Sequence, residues 1–165
     1  MNGYYIRQLN ADELAERLVP FAAEAGWMVT AADLRPVVPL IQERLKTLAD
    51  VTQVADFFFT DYIHYNAKDL VGQKMTAAES LTALGRAREA LAGVRGFDAE
   101  AMEPPMRALA EELGLKAGQL FGLVRVAATG KTVSPPLFES LAVLGRTRTL
   151  DRLDQAIQAL QALTG

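Results

Sequence analysis

The stretch VRVAATGKTVSPPLF, residues 124 to 138, decides between two folds. Its Gly130-Lys131-Thr132 looks like the end of a phosphate-binding loop, which joins a β-strand to a helix in nucleotide-binding enzymes. Such a loop needs a glycine five positions before Gly130, so that backbone N–H groups can surround a phosphate. Arg125 occupies that position, and no β-branched strand precedes it. The stretch therefore predicts that one helix ends at Gly130 and that another begins at Ser134-Pro135.

Helical spacing of apolar residues continues through nearly the whole chain, and no segment alternates with a period of two. Residues that favour helix N-caps open most of these segments, at Thr30, which forms a capping-box-like pair with Asp33, and at Thr76, Asp98, Ser134 and Thr149. We therefore predict an all-α fold of two small helical bundles in tandem. The expected helices span residues 11 to 25, 30 to 48 with a kink or delay at Pro39, 51 to 58, 76 to 92, 98 to 113 with an interruption at Pro104-Pro105, 116 to 128, 134 to 145, and 149 to 163.

Composition excludes several classes of protein. The chain has 165 residues, half of them hydrophobic, with no cysteine and with His64 as its one histidine. Disulfide frameworks, thiolate zinc sites and histidine-based metal centres are thereby excluded, and no metal site is expected. No run approaches the roughly 20 apolar residues of a membrane span, and the N-terminus lacks the apolar region of a secretory signal. We expect a cytoplasmic protein with no membrane partner.

The distribution of charge is more informative than its sum. The formal net charge of −3 argues against non-specific binding to DNA or other nucleic acid. Between residues 116 and 150, however, Glu139 is the only acid. The bases of this segment are Lys116, Arg125, Lys131, Arg146 and Arg148. The segment is either a set of solvated helix faces or a surface for a polyanion.

An aromatic cluster, FFFTDYIHY at residues 57 to 65, also allows two interpretations. Aromatic rings can form a platform on which unstacked bases lie. More often such a cluster fills the core where helices meet, and we favour this interpretation for Phe57, Phe58, Phe59, Tyr62 and Tyr65.

Three parts of the sequence together resemble one known family. The run GQLFGLVRVAATGKTVSPPLFESLAVLGRTRTLDRL, residues 118 to 153, resembles the C-terminal anticodon-binding region of bacterial-type glutamyl-tRNA synthetases. The start of the chain, NGYYIRQLNADELAERLVPF, is similar to the segment that leads from the stem-contact domain of that family into its anticodon-binding domain. Residues 41 to 48 and the Phe57-Phe58-Phe59 run resemble elements that lie between these two. The resemblance covers the whole chain in the correct order.

This resemblance implies a division of the chain and a function. Residues 1 to 10 would end the stem-contact region, residues 11 to 72 would form a first helical anticodon-binding subdomain, and residues 73 to 165 a second. The implied partner is tRNA, in particular glutamate tRNA, and the implied activity is to read its anticodon loop. We expect a monomer.

The resemblance also implies individual site residues. It places Arg44 at an arginine that contacts the first anticodon base and that is associated with preferring glutamate tRNA over glutamine tRNA. Arg125, Ser134 and Leu137 match positions that contact the second and third bases. Pro135 and Phe138 match positions that shape the pocket. Candidate phosphate contacts are Lys46, Arg107 and Lys131.

Each of these assignments has a structural alternative. From spacing alone, Arg44 would be a surface arginine paired with Glu43 or Asp50. Arg125 would instead hold two helices together through an ion pair with Glu139. Without the resemblance, the apolar Leu137 and Phe138 would be assigned to the core.

The ATP-binding signatures of this family are absent from the 165 residues. Neither a His-Ile-Gly-His-like motif nor a Lys-Met-Ser-Lys-Ser-like loop is present, since the similar Gln73 to Ala77 lacks the second lysine. We expect no catalysis and no cofactor for this chain alone, because ATP and Mg²⁺ would belong to a catalytic domain. The chain would then be an excised C-terminal fragment or a free-standing relative. Two other functions stay open: a helical protein-interaction module, and an ATP-using enzyme, which Arg125 disfavours.

Overall fold

The computed structural model describes residues 1 to 164, which divide into two compact units. The first unit is Met1–Asp61 and the second begins at Tyr62. The functional boundary expected between residues 72 and 73 stays a prediction. Within residues 1 to 164, all regular secondary structure is helical, which confirms the all-α fold class. None of these helices combines the length and the apolar character needed to cross a lipid bilayer.

The first unit consists of one long helix surrounded by short ones. Its helices are α1 (Gly3–Gln8), α2 (Ala11–Glu24), α3 (Ala31–Leu34), α4 (Val38–Ile41), α5 (Val51–Val54) and α6 (Asp56–Phe59), together with 3₁₀ turns at Gln42–Arg44 and Leu48–Asp50. Helix α2 begins at the predicted place because the Asn10 side chain accepts a hydrogen bond from the Glu13 N–H at 2.8 Å.

The continuous helices predicted over residues 30 to 48 and 51 to 58 are wrong. Thr30 and Asp33 do form the predicted capping box, but α3 ends at Leu34. Pro36 and Pro39 each lack the N–H that a continuous helix needs to bond the carbonyl four residues earlier. The chain therefore turns in short steps. Ala55, at φ −121° and ψ 6°, separates α5 from α6.

The core of the first unit lies against α2 and includes the phenylalanine run. Leu14 and Leu18 of α2 have no exposed surface. Phe57 and Phe58 are 1% and 2% exposed, with ring centroids 4.1 Å apart. These two rings are therefore core residues and not a platform for bases.

The second unit is built from longer helices. They are α7 (Ala67–Leu70), α8 (Ala77–Ala92), α9 (Ala99–Glu112), α10 (Ala117–Thr129), α11 (Leu137–Leu144) and α12 (Arg146–Thr164). Helix α12 packs against α8, α10 and α11, and α9 packs on the same three helices. Arg88 of α8 and Asp154 of α12 form an ion pair through two hydrogen bonds.

The interruption predicted at Pro104-Pro105 is wrong. Helix α9 is not interrupted, because it continues through Pro104 and Pro105. The two missing N–H groups leave the carbonyls of Glu100 and Ala101, in the first turn, without their usual donors. Water can reach this turn, since Glu100 is exposed.

The last helix starts earlier than predicted. Gly145, at φ +86°, ends α11 as expected, but α12 begins immediately afterwards at Arg146. Thr149, the predicted N-cap, lies fully buried inside the helix, where its hydroxyl donates to the Leu141 carbonyl at 3.4 Å.

Candidate functional site

The α10–α11 turn, residues 130 to 136, contains the predicted site residues Lys131, Ser134 and Pro135, and Arg125, Leu137 and Phe138 lie in the two helices that it joins. Helix α10 ends at Thr129, and Gly130 follows in the left-handed conformation at φ +74°, as the sequence predicts. Helices α8, α9 and α12 all pack against α10. The position of this turn is therefore fixed by the core of the second unit.

Side chains cap the last carbonyls of α10. The Thr129 hydroxyl donates to the Arg125 carbonyl at 2.7 Å, and the guanidinium of Arg152 donates to the Ala128 carbonyl at 2.9 Å. Arg152 is only 5% exposed, so a buried positive charge lies at the negative end of the helix dipole. These bonds satisfy carbonyls that a helix leaves without internal donors.

Tyr65, which lies near the start of the second unit, also contributes to this cap. Its hydroxyl lies 2.5 Å from the Ala127 carbonyl and 3.0 Å from the Arg152 carbonyl. Burial raises the pKa of the Tyr65 phenol, so the hydroxyl keeps its proton at neutral pH and remains a donor. Sequence reasoning missed Tyr65 and Arg152, because no local pattern relates them to α10.

Close packing gives Gly130 a second constraint besides its backbone angle. A Cβ atom at this position would lie 2.9 Å from Cγ2 of Ile63 and 3.0 Å from the His64 carbonyl oxygen. The turn therefore approaches the Ile63 side chain and the His64 backbone more closely than a Cβ atom permits.

Arg125 and Ser134 meet across the turn. The Arg125 Nε–H donates to the Ser134 hydroxyl at 2.9 Å, and that hydroxyl donates to the Pro135 carbonyl at 2.8 Å. The alternative ion pair is not observed, since Glu139 is exposed and forms no ion pair within the second unit. Arg125 is half-buried.

The predicted helix start at Ser134 is wrong. Helix α11 begins at Leu137, and Pro136 precedes it in an extended conformation at ψ 134°. The physical reason is the Pro135-Pro136 pair, because a residue before proline avoids helical backbone. Ser134 is thus free of the N-cap role, and its buried hydroxyl orients Arg125 instead.

Leu137 and Phe138 are core residues that support the turn. They are 5% and 4% exposed. The Phe138 ring meets Phe121 edge to face, with centroids 4.9 Å apart. The Arg107 guanidinium lies 5.3 Å from the Phe121 centroid and also pairs with Glu103 at 3.1 Å. Arg107, Phe121 and Phe138 are thus in successive contact, from the protein surface to the buried side of α11.

Not every base in the segment from 116 to 150 is available to a ligand. Arg146 donates to the carbonyls of Ala92, at 2.9 Å, and Val94, and its guanidinium lies 5.3 Å from the Phe97 centroid. Arg146 therefore closes the end of α8. Lys131 lies half-buried in the turn itself, where its backbone N–H donates to the Thr129 hydroxyl at 3.1 Å.

The first unit contains the other two predicted residues, Arg44 and Lys46, and both are exposed. Arg44 ends the 3₁₀ turn at Gln42–Arg44. No carboxylate of this unit pairs with its guanidinium, so the alternative pairing with Glu43 or Asp50 is not observed.

Two side chains fix the backbone on either side of Arg44. The Gln42 amide donates to the carbonyls of Ile6 and Leu9 at 2.8 and 2.9 Å, which attaches the 3₁₀ turn to α1. The Asp50 carboxylate accepts from the N–H groups of Thr47 and Lys46, both at 3.0 Å. These backbone hydrogen bonds, led by that from Thr47, lower the pKa of Asp50. An exposed guanidinium is therefore presented from a fixed backbone.

Comparison with known protein families gives one match that covers most of the chain. Residues 13 to 157 match the family described as the anticodon binding domain. Curated relatives include the glutamate–tRNA ligases of Roseiflexus castenholzii, 46% identical over 98% of this chain and 33% of the ligase, and of Dehalococcoides mccartyi strain 195, 44% identical over 99% of this chain and 35% of the ligase. The chain spans about a third of the length of these relatives.

Solved structures support the same fold. A glutamate tRNA ligase from Elizabethkingia meningosepticum, crystallised with its amino acid, superposes with a TM-score of 0.84 at 22% identity, covering 96% of this chain and 31% of that one. A glutamate–tRNA synthetase from Elizabethkingia anophelis gives a TM-score of 0.78 at 21% identity, covering 95% of this chain and 30% of that one.

The close approach at Gly130 predicts the effect of a single methyl group. Gly130→Ala adds both the strain of a left-handed alanine, about 1–2 kcal/mol, and a clash with Ile63 and His64. Gly114→Ala is the matched control, because Gly114 is at φ +71° but a Cβ there meets no atom within 4 Å. Urea unfolding of both variants should show the larger loss for Gly130→Ala, and equal losses would contradict the close approach.

Proposed function

The chain belongs to the anticodon-binding domain family, and from this premise we propose that it reads the anticodon loop of glutamate tRNA. The curated relatives described above, which match nearly the whole length of this chain, are glutamate–tRNA ligases. A protein-interaction module is not favoured by these matches. Bases of an anticodon loop are unstacked, so side chains can reach their Watson–Crick edges.

The observation that carries this proposal is the exposed Arg44, presented without a carboxylate partner from its own unit. A guanidinium has five N–H donors and no acceptor, so it recognises an edge that offers two acceptors. Cytosine offers O2 and N3 on its Watson–Crick edge. Guanine offers one acceptor, O6, and two donors, which a guanidinium cannot satisfy.

The genetic code restricts which base Arg44 reads. Glutamate and glutamine codons differ in their first base, which pairs with the third anticodon base. An arginine that separates these two tRNAs therefore reads the third anticodon base, cytosine for glutamate and guanine for glutamine. The expected contact with the first anticodon base is incompatible with this discrimination, and we propose the third-base role for Arg44.

In the second unit, the α10–α11 turn would hold other nucleotides of the loop. Ser134 orients Arg125, which supports a base-reading role for that arginine. Leu137 and Phe138 are buried, so they would form the floor of a pocket and not its polar contacts. Lys46, Lys131 and Arg107 remain candidates for phosphate contacts, although Arg107 shares its charge with Glu103.

We further propose that these residues perform no catalysis and need no ATP, Mg²⁺ or other cofactor. The matched region is the anticodon-binding part of relatives that are about three times longer. The chain would act in the cytoplasm, as a monomer, with tRNA as its partner.

Replacing Arg44 tests the third-base role directly. The unmodified chain should bind an anticodon stem-loop with the sequence CUC more tightly than one with CUG. In Arg44→Gln this preference should fall roughly tenfold or more, since a bidentate contact to a base edge contributes about 1–3 kcal/mol of discrimination. Fluorescence anisotropy with labelled stem-loops measures both affinities.

Arg17→Gln is the matched control, because Arg17 is an exposed arginine of the same unit and its replacement removes the same charge. It should leave the ratio of the two affinities unchanged. If Arg44→Gln and Arg17→Gln gave the same ratio as the unmodified chain, Arg44 would not read the base.

Lys131 and Arg125 should differ in the salt dependence of binding. A phosphate contact releases counterions, so Lys131→Ala should weaken all stem-loops alike and reduce the slope of log K against log salt by about 0.7. Lys116 is an exposed lysine at the other end of α10, so Lys116→Ala is the control and should leave the slope unchanged.

Arg125→Ala should cost more affinity for the cognate anticodon than for others. Equal losses for all anticodons would remove the base-reading role of Arg125.

A further inference from the structure

A cleft of about 390 Å³ lies beside the α10–α11 turn within the second unit. One wall is the segment of residues 68 to 73, and the other is a face of α10. Arg125 and Thr132 line the end nearest the turn. The volume is within the range of small-ligand pockets, about 300–1,000 Å³. It can hold one nucleotide and is too small for a duplex.

Two glycines leave the backbone uncovered on part of the α10 wall, and Gln119, Leu123, Arg125 and Val126 form the rest of that wall. Gly118 and Gly122 are one turn apart on the same face, and both line the cleft. Each glycine destabilises a helix by about 1 kcal/mol relative to alanine. Packing does not require them, because a Cβ at either position meets no atom within 4 Å. Their effect is to keep this face open for a group that contacts the helix backbone.

The opposite wall is held in place and is charged. The Gly72 N–H donates to the Ser80 hydroxyl at 2.8 Å, and the Gln119 amide donates to the Gln73 carbonyl at 2.7 Å across one end of the cleft. Lys68 and Arg125 are the cations among the lining residues, and Asp69 is the one acid. The cleft thus combines uncovered helix backbone at two glycines, two cations and one carboxylate acceptor.

We propose that this cleft binds a single unstacked nucleotide of the RNA, next to those held by the α10–α11 turn. Lys68 would attract its phosphate, the uncovered backbone at Gly118 and Gly122 would contact its ribose or base, and Asp69 would accept from an exocyclic amino group. This inference rests on the proposed function, and it extends the binding surface to Lys68, Asp69, Gly118 and Gly122.

Filling the cleft without changing any charge tests the proposal. Gly122→Leu places a side chain in the cleft, whereas Gly85→Leu is the matched control. Gly85 is also a half-buried glycine inside a long helix, and a Cβ there likewise meets no atom within 4 Å. Leucine favours helix over glycine, so circular dichroism and melting should show both variants folded. Binding of a labelled CUC stem-loop is measured by fluorescence anisotropy.

Gly122→Leu should weaken binding roughly tenfold, since a base contact contributes about 1–3 kcal/mol, while Gly85→Leu should not change it. Gly118→Leu, at the exposed end of the cleft, should weaken binding too, and it carries the test if Gly122→Leu does not fold. If both cleft variants bind like the unmodified chain, or if Gly85→Leu weakens binding equally, the cleft does not hold a nucleotide. If the unmodified chain itself does not bind, the proposed function fails instead.

Discussion

The reversal of the chain at the end of α10 is the constraint on which the second unit depends. Three structural requirements apply there. Gly130 must adopt a positive φ, and its Cα must pass close to Ile63 and His64, which leaves no room for a Cβ. The last carbonyls of α10 must also find hydrogen-bond donors. Tyr65 and Arg152, which lie far from the turn in sequence, supply hydrogen-bond donors to these carbonyls. The α10–α11 turn is therefore positioned by side chains that lie outside it.

Most arginines of the second unit bind other groups of the protein, so a net charge of −3 is compatible with a nucleic-acid partner that contacts only a few residues. Arg86 and Arg88 pair with Glu112 and Asp154, and Arg146 binds backbone carbonyls. The exposed Arg86 pair contributes little, as surface ion pairs do. Reading a few unstacked bases requires a few well-placed donors and not a broad basic surface, because base contacts specify and phosphate contacts position.

Local chemistry explains which features could be predicted from the sequence. The all-α class, the capping box at Thr30 and the end of α10 at Gly130 follow from nearby residues alone. The predicted helix start at Ser134 is wrong because the proline pair acts on the backbone more strongly than the serine cap. The Arg125–Ser134 contact and the cap by Tyr65 and Arg152 depend on tertiary packing, which leaves no periodic signal. The roles of the site residues follow from the family resemblance and not from local chemistry.

Chemical footprinting of full-length glutamate tRNA with the 165-residue chain tests the central claim most directly. Nucleotide-resolution probing in the presence and absence of the chain shows where the protein lies on the RNA. Reading of the anticodon loop predicts protection confined to that loop and the adjoining stem, with the acceptor stem unchanged. Protection spread evenly over the tRNA, or restricted to the acceptor stem, would contradict the assignment of this chain as an anticodon reader.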